Sequence, residues 1–233
     1  MKAASGVKLN VISGGALDPG LDFVAAAFQK QTAHSLQIEY NLGLQGLKRI
    51  DEGEGVDVVV ATSVAIEGIF RPAGKIEDGG INIGRVGIGM MVRAGVALPD
   101  ISGALALERA VLDAESILYT EEASGLYIEE MLKKLGIFQQ TQPQTIRTRN
   151  GPELIDQMLS SSCRQIGFLP LTAIRTYKDK GIVLVGPLPE EVQCNLEFIA
   201  VPTIRSTHKQ IAWDFVRYCG GPGKLLLAAN GVH

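Results

Sequence analysis

Apolar positions in this chain follow two rhythms that alternate from end to end. Short runs dense in Val, Ile and Leu read as strands, and stretches with apolar residues three and four apart read as helices. Leu9 to Ile12 is the first strand. A helix from Pro19 to Gln31 follows, with Leu21, Val24, Ala25 and Phe28 on one face. Asp18 is expected to cap it, with Pro19 at the first helical position. Leu36 to Tyr40 reads as a second strand, followed by a helix from Gly43 to Glu52. Val56 to Ala61 is rich in β-branched residues, as for a strand buried on both faces. Thr62 or Ser63 caps a third helix carrying Ile66, Ile69 and Phe70.

Ile81 to Arg93 is a longer β stretch containing Gly84, Gly87 and Gly89, which permit bending or close backbone approach. Ser102 caps a helix through Leu112, and Ser116 to Tyr119 is a strand. A turn from Thr120 to Gly125 leads into a helix from Leu126 to Leu135, which stops at Gly136. Then come a strand at Thr145 to Thr148, a helix from Pro152 to Ser161, and a strand from Gln165 to Leu169 ended by Pro170. Ile182 to Val185 and Phe198 to Val201 are further strands. Helices from Thr207 to Cys219 and Pro222 to Ala229 close the chain.

This order is that of an open α/β protein. Two β-rich segments, at 81–93 and 197–202, bracket the middle of the chain. If both cross between lobes, residues 1–84 and 196–233 form one lobe and 85–195 the other. A ligand would then sit between the lobes, at the carboxyl ends of strands.

Composition narrows the function. The net charge of -3 and pI near 5.7 lack the basic stripe of a nucleic-acid binder. The tightest basic cluster is Arg147-Thr148-Arg149. No apolar run reaches the roughly 18 residues that a membrane span needs. No apolar leader opens the chain, so it reads as cytoplasmic or as a periplasmic protein whose secretion signal has been removed. The small residues Ala3-Ala4-Ser5 suit the second reading. Cys163, Cys194 and Cys219 show no C-x-x-C spacing, and His34, His208 and His233 show no metal-ligand spacing. The cysteines read as small buried hydrophobes, and no metal or cofactor is expected.

Candidate site residues lie where strands end. Ser13, Gly14, Gly15 and Ala16 follow the first strand, where first-turn N–H groups lack internal acceptors and attract anions. Asn41, Gly43 and Gln45 follow the second strand and offer amide donors, with helix capping by Asn41 as the alternative. Thr62 and Ser63 follow the third, again with capping as the alternative. Arg85 stands in an otherwise apolar strand, where its planar fork suits a carboxylate or an ion pair. In the middle segment Thr120, Ser124 and Gly125 precede one helix, and Arg149, Asn150 and Gly151 precede another. Glu122 would serve as a base if burial raised its pKa. There is no Gly-x-Ser-x-Gly elbow, phosphate-binding loop or zinc signature.

Several stretches carry a resemblance: Ile12 to Thr32, Leu47 to Ser63, Asn82 to Ser102, Tyr119 to Ile137, Gln165 to Ile174 and Val183 to Gln193. In these, in their order and over nearly the whole length, the chain resembles the molybdate-binding-protein-like branch of solute-binding proteins. These have the type II periplasmic binding protein fold. The resemblance implies two hinged α/β lobes closing on one small ligand, usually a monomer, that hands its solute to an ABC transporter membrane subunit. In that branch hydroxyls and backbone N–H groups hold a tetrahedral oxyanion. Here Ala16 stands where a serine is expected, the loop from Asn41 to Gln45 has no hydroxyl, and Pro170 replaces a tyrosine. Each lost donor to a buried anion costs about 1.5–3 kcal/mol. An organic carboxylate is therefore expected rather than molybdate or another oxyanion. Some relatives of this branch resemble aconitate isomerases, which gives an enzyme alternative with Glu122 or Tyr127 moving a proton. An oxyanion-binding protein and an effector-binding sensor are the remaining readings.

Overall fold

The computed structural model describes residues 6–42, 44–52 and 55–233, without the side chains of 44–47. The chain runs β1 (Lys8–Ser13), α1 (Gly20–Thr32), β2 (Ser35–Tyr40), α2 (Leu44–Glu52), β3 (Val58–Thr62), α3 (Ser63–Ala65) and β4 (Ile81–Arg93). It continues through α4 (Ala104–Asp113), β5 (Ser116–Thr120), α5 (Ala123–Lys134), α6 (Phe138–Thr141), β6 (Thr145–Thr148), α7 (Gly151–Ser160) and β7 (Gln165–Pro170). The last elements are α8 (Leu171–Arg175), β8 (Ile182–Pro187), β9 (Asn195–Pro202), α9 (Lys209–Gly220) and α10 (Lys224–Ala229).

These elements form two compact units, Met1–Arg85 with Glu197–His233, and Val86–Leu196. In the first, β1 lies between β2 and β3, all parallel, and β9 runs antiparallel along β3. In the second, β5 lies between β6 and β7, all parallel, with β4 antiparallel to β7 and β8 antiparallel to β4. Each unit therefore brings the carboxyl ends of three parallel strands to one edge, the usual binding edge of such sheets. Among the described residues no helix is long and apolar enough to cross a membrane.

Local chemistry explains the layers. All of β3 is buried, as the run of β-branched residues anticipates. Leu21, Val24, Ala25 and Phe28 form the buried stripe of α1, and Phe28 meets Phe215 and Tyr218 edge-on, with ring centres 5.3 and 5.4 Å apart. In the second unit Ile88, Met90, Tyr119, Ile128, Met131 and Phe168 share one core cluster. The glycines of β4 do allow close approach: a Cβ at Gly89 would lie 2.6 Å from Leu171 and 3.0 Å from the carbonyl of Gly186. Gly136 ends the helical region in the left-handed conformation, at φ 75°.

Several boundaries differ from the sequence expectation. Asp18 does not cap α1. The residues before it close a short 3₁₀ turn, Gly15–Leu17, the Asp18–Pro19 peptide is cis, and Pro19 becomes the N-cap. Gly103, not Ser102, precedes α4 as its N-cap. Ile69 is half exposed, because the helix after Thr62 widens into a π turn at Ile66–Phe70 that buries Ile66 and Phe70 instead. Helix α5 starts three residues before Leu126, and the short α6 and α8 were not anticipated. Cys163 is exposed in a loop rather than buried.

A buried carboxylate ties the other end of the first unit's sheet. Asp57 accepts from Asn10 N–H at 2.9 Å and from the Ser206 hydroxyl at 2.6 Å, while its own N–H donates to Asn10 O at 2.8 Å. The Thr203 hydroxyl donates to Val56 O at 2.5 Å. These bonds clasp β1, the approach to β3 and the turn after β9. Removing a hydrogen bond to a buried carboxylate costs about 1.5–3 kcal/mol. Ser206→Ala is therefore expected to lower the urea midpoint by that free energy with an unchanged m-value.

Candidate functional site

The parallel strands of the first unit end at Ser13, Tyr40 and Thr62. Ser13 is fully buried, level with Tyr40 and Val60 on the neighbouring strands, and its hydroxyl donates to Gly14 O at 3.1 Å. Gly14 N–H donates to Val60 O at 3.3 Å, after which the chain enters the 3₁₀ turn. The fold does not require either glycine. A Cβ on Gly14 would make ordinary contacts with Leu42 and Phe198, one on Gly15 would meet nothing within 4 Å, and neither residue has positive φ. The pair leaves open space beside the turn. Ala16 is buried and supplies no hydroxyl.

Asn41 lies half-buried just past β2. Gly43 and the side chain of Gln45 lie outside the described residues. Thr62 is a cap, its hydroxyl oxygen accepting from Ala65 N–H at 3.3 Å, and Ser63 opens α3 half-buried. Sequence reasoning missed Tyr40, although it is the last residue of a strand anticipated to end there. Its hydroxyl donates to Asp22 at 3.0 Å. Burial and the nearby Asp22 charge push the phenol pKa upward. Asp18 lies at the same edge, its carboxyl raised first by burial and then by Asp22. This edge thus combines neutral donors with acidic side chains. Arg85 is exposed, and its backbone pairs with His233 through bonds of 2.6 and 2.9 Å. Its guanidinium has no ion-pair partner among the described residues.

In the second unit β6, β5 and β7 end at Thr148, Thr120 and Pro170. Glu121 N–H donates to Thr148 O at 2.8 Å, joining the first two ends. Sequence reasoning read Thr120 to Gly125 as a turn, but Ser124 and Gly125 belong to the first turn of α5. Gly125 makes this start feasible. A Cβ there would lie 1.7 Å from the carbonyl oxygen and 2.8 Å from the nitrogen of Thr120. The helix therefore begins directly against the end of β5. No side chain caps it. Its first N–H groups are left as anion donors, with the positive end of the helix dipole behind them.

Three side chains surround this helix start. The buried Thr120 hydroxyl oxygen accepts from Glu122 N–H at 3.3 Å. Ser124, in the first turn, is 3% exposed. The Glu122 carboxyl has neither a hydrogen bond nor a counter-charge among the described residues, and burial pushes its pKa up. Tyr127, one turn along, does not fit a proton carrier. Its hydroxyl donates to Val192 O at 2.8 Å, and burial raises its pKa above the ordinary phenol value.

The basic residues are already partnered. Arg149 is 79% exposed, and both its Nε and its backbone N–H donate to Glu153 Oε2 at 3.0 Å. Arg147 lies 3.4 Å from Glu129. The four-residue spacing of Arg149 and Glu153 was the signal for this pairing. Asn150 caps α7 by accepting from Glu153 N–H at 3.0 Å. Gly151 opens that helix, and a Cβ there would touch Leu169 only ordinarily, at 3.6 Å. Pro170 is buried at the end of β7, level with Ile88, and precedes α8. No three His, Cys, Asp or Glu side chains gather as a metal site among the described residues.

Comparison with known proteins adds a family. The profile of the bacterial extracellular solute-binding protein family matches residues 9–224. A curated relative from Pseudomonas sp., an aconitate isomerase, is 26% identical over 216 residues, spanning 90% of this chain and 81% of the relative. Among solved structures, the periplasmic molybdate-binding protein of Azotobacter vinelandii aligns with a TM-score of 0.75 at 19% identity, covering 97% of this chain and 98% of that one. A sulfate-binding protein of Mycobacterium tuberculosis aligns with a TM-score of 0.76 at 15% identity, covering 97% and 86%. At such identities the structures establish the fold, the type II periplasmic binding protein architecture.

The two glycine sites are expected to respond differently to a methyl group. Gly125→Ala drives a Cβ into backbone that cannot step aside and should cost about 3 kcal/mol or more. Gly15→Ala faces open space and should stay within about 0.5 kcal/mol of the parent. Urea unfolding of the two variants checks this contrast.

Proposed function

The chain belongs to the bacterial extracellular solute-binding protein family, and from that premise we propose that it captures a small organic acid bearing more than one carboxylate. It acts outside the cytoplasm and passes this solute to an ABC transporter. The observation that carries the reading is the start of α5. An uncapped helix N-terminus stands at the end of a parallel strand, and its first turn carries the buried Ser124. One ligand carboxylate would accept from Ser124 and the first N–H groups of α5.

A carboxylate is preferred to a tetrahedral oxyanion for a physical reason. Ala16 and Pro170 bring no hydroxyl to the strand ends, and Asn41-Leu42 brings none either. At about 1.5–3 kcal/mol per lost donor, these absences remove most of the affinity for an oxyanion. The relative named as an aconitate isomerase supports a polycarboxylate.

One observation favours a second reading, isomerisation of such an acid. Glu122 is a half-buried carboxyl with no counter-charge among the described residues, and burial raises its pKa, the direction that general acid–base work needs. Tyr127, tied to Val192 O, is left out of the chemistry.

Calorimetry with trans-aconitate, citrate and molybdate tests the main reading. Binding of a polycarboxylate without molybdate is expected, and Ser124→Ala should weaken it about tenfold, the equivalent of one hydrogen bond. Binding of molybdate alone would overturn the reading. Proton NMR of the trans-aconitate sample shows whether the double-bond isomer changes over time, which decides between binding and catalysis.

A further inference from the structure

Helix α5 is held at its start by the backbone of Thr120, but one fixed point does not set the direction of a helix. A second lies one turn along. Tyr127 stands four residues after Ala123, on the same face, and its hydroxyl donates to Val192 O at 2.8 Å. That bond restrains the helix only as firmly as the Val192 carbonyl is itself held.

The segment carrying Val192 is tied down by a side chain that replaces a strand. Strand β8 pairs along β4 as far as Pro187, opposite Gly89, and neither Pro187 nor Pro189 has an N–H to carry the ladder on. Leu188, between them, donates to Ile88 O at 3.0 Å. The Gln193 amide then takes the role of a peptide group. Its Oε1 accepts from Ile88 N–H at 2.9 Å and from Cys194 N–H at 3.0 Å. Its Nε2 donates to Ile88 O at 3.0 Å and to Leu188 O at 3.3 Å. Two acceptances and two donations use the whole amide and fix its orientation. Between Leu188 and Gln193 the 3₁₀ turn Glu190–Val192 closes with Val192 N–H on Pro189 O at 3.0 Å. Val192 and Cys194 also pack on the core cluster that holds Tyr119 and Ile128. The Val192 carbonyl is therefore a fixed point tied to β4 at Ile88, level with Pro170 at the end of β7.

We propose that Tyr127 and Gln193 are positioning residues that act as one brace, setting the direction in which the first turn of α5 presents its N–H groups to a ligand carboxylate. This rests on the reading of the α5 start as the anchor given above. Burial of Ile128, Met131 and Leu132 holds the helix against its neighbours, but apolar packing is non-directional. Donors that grip a ligand must be held within about 0.5 Å of their working geometry. The hydrogen-bonded route from Tyr127 through Val192 and Gln193 to Ile88 supplies the directional restraint. Both polar groups are committed to backbone partners, so they act through the helix and not on the ligand.

Calorimetry of the whole chain with trans-aconitate tests the brace. Tyr127→Phe removes one oxygen, and Gln193→Met keeps the length of the side chain. Each should weaken binding about fivefold, the loss that one neutral hydrogen bond implies. The double variant should bind within about twofold of the weaker single, because either change frees the same restraint. A merely structural role would lower the urea midpoint and leave the affinity of the folded protein unchanged. Wild-type affinity in Tyr127→Phe would overturn the proposal and leave the carboxylate reading standing. So would a double variant whose loss is the product of the two singles. Failure of the wild type to bind trans-aconitate, citrate or succinate would sink both. If Gln193→Met does not fold, the affinity of Tyr127→Phe decides alone.

Discussion

Everything at the proposed binding edge of the second unit depends on one close approach, that of Gly125 to the backbone of Thr120. With no Cβ at 125, α5 can begin directly on the end of β5 instead of standing off by a side chain's width. That placement brings the uncapped N–H groups of the first turn of α5 to the carboxyl edge of three parallel strands. A helix start is a weak anion site in water but a stronger one where side chains exclude solvent around it. The near-complete burial of Thr120 and Ser124 provides that exclusion.

The first unit solves the same topological problem with different parts. Its β1 end is followed by a 3₁₀ turn rather than a full helix, and the space beside Gly15 is open rather than packed. Its polar groups are Ser13, Asn41, Tyr40 and two aspartates. The two edges are therefore chemically unequal. One offers neutral donors within an acidic rim, the other a helix start beside a carboxyl whose pKa burial raises.

Much of the fold was legible because burial on both faces imposes a simple pattern. The range expected for β4 agrees with its observed bounds, and the ends of β2 and β6 and the C-terminal stop of α5 at Gly136 were readable from apolar rhythm and glycine chemistry. The misreadings were tertiary in origin. Glu121 to Gly125 has turn composition, and only contact with Thr120 turns its second half into helix. The 3₁₀ turn displaced Asp18 from its capping role. Helix α8, five residues after a proline, is too short to show a period.

The site was half legible. Strand ends pointed to Ser13, Thr120 and Ser124, since topology alone marks such positions. Charge was misleading. Arg149 looked like a ligand clamp, yet the carboxylate that holds it lies four residues on, a spacing visible in the sequence. Glu122 gained weight only in three dimensions, from the burial that raises its pKa.

The most direct measurement is amide chemical-shift mapping of the whole protein during titration with trans-aconitate. The account requires the largest movements at Glu122, Ala123, Ser124 and Gly125. Saturable movement confined to other parts of the chain, with the amides of Glu122 to Gly125 unmoved, would contradict the assignment of the α5 start as the anchor.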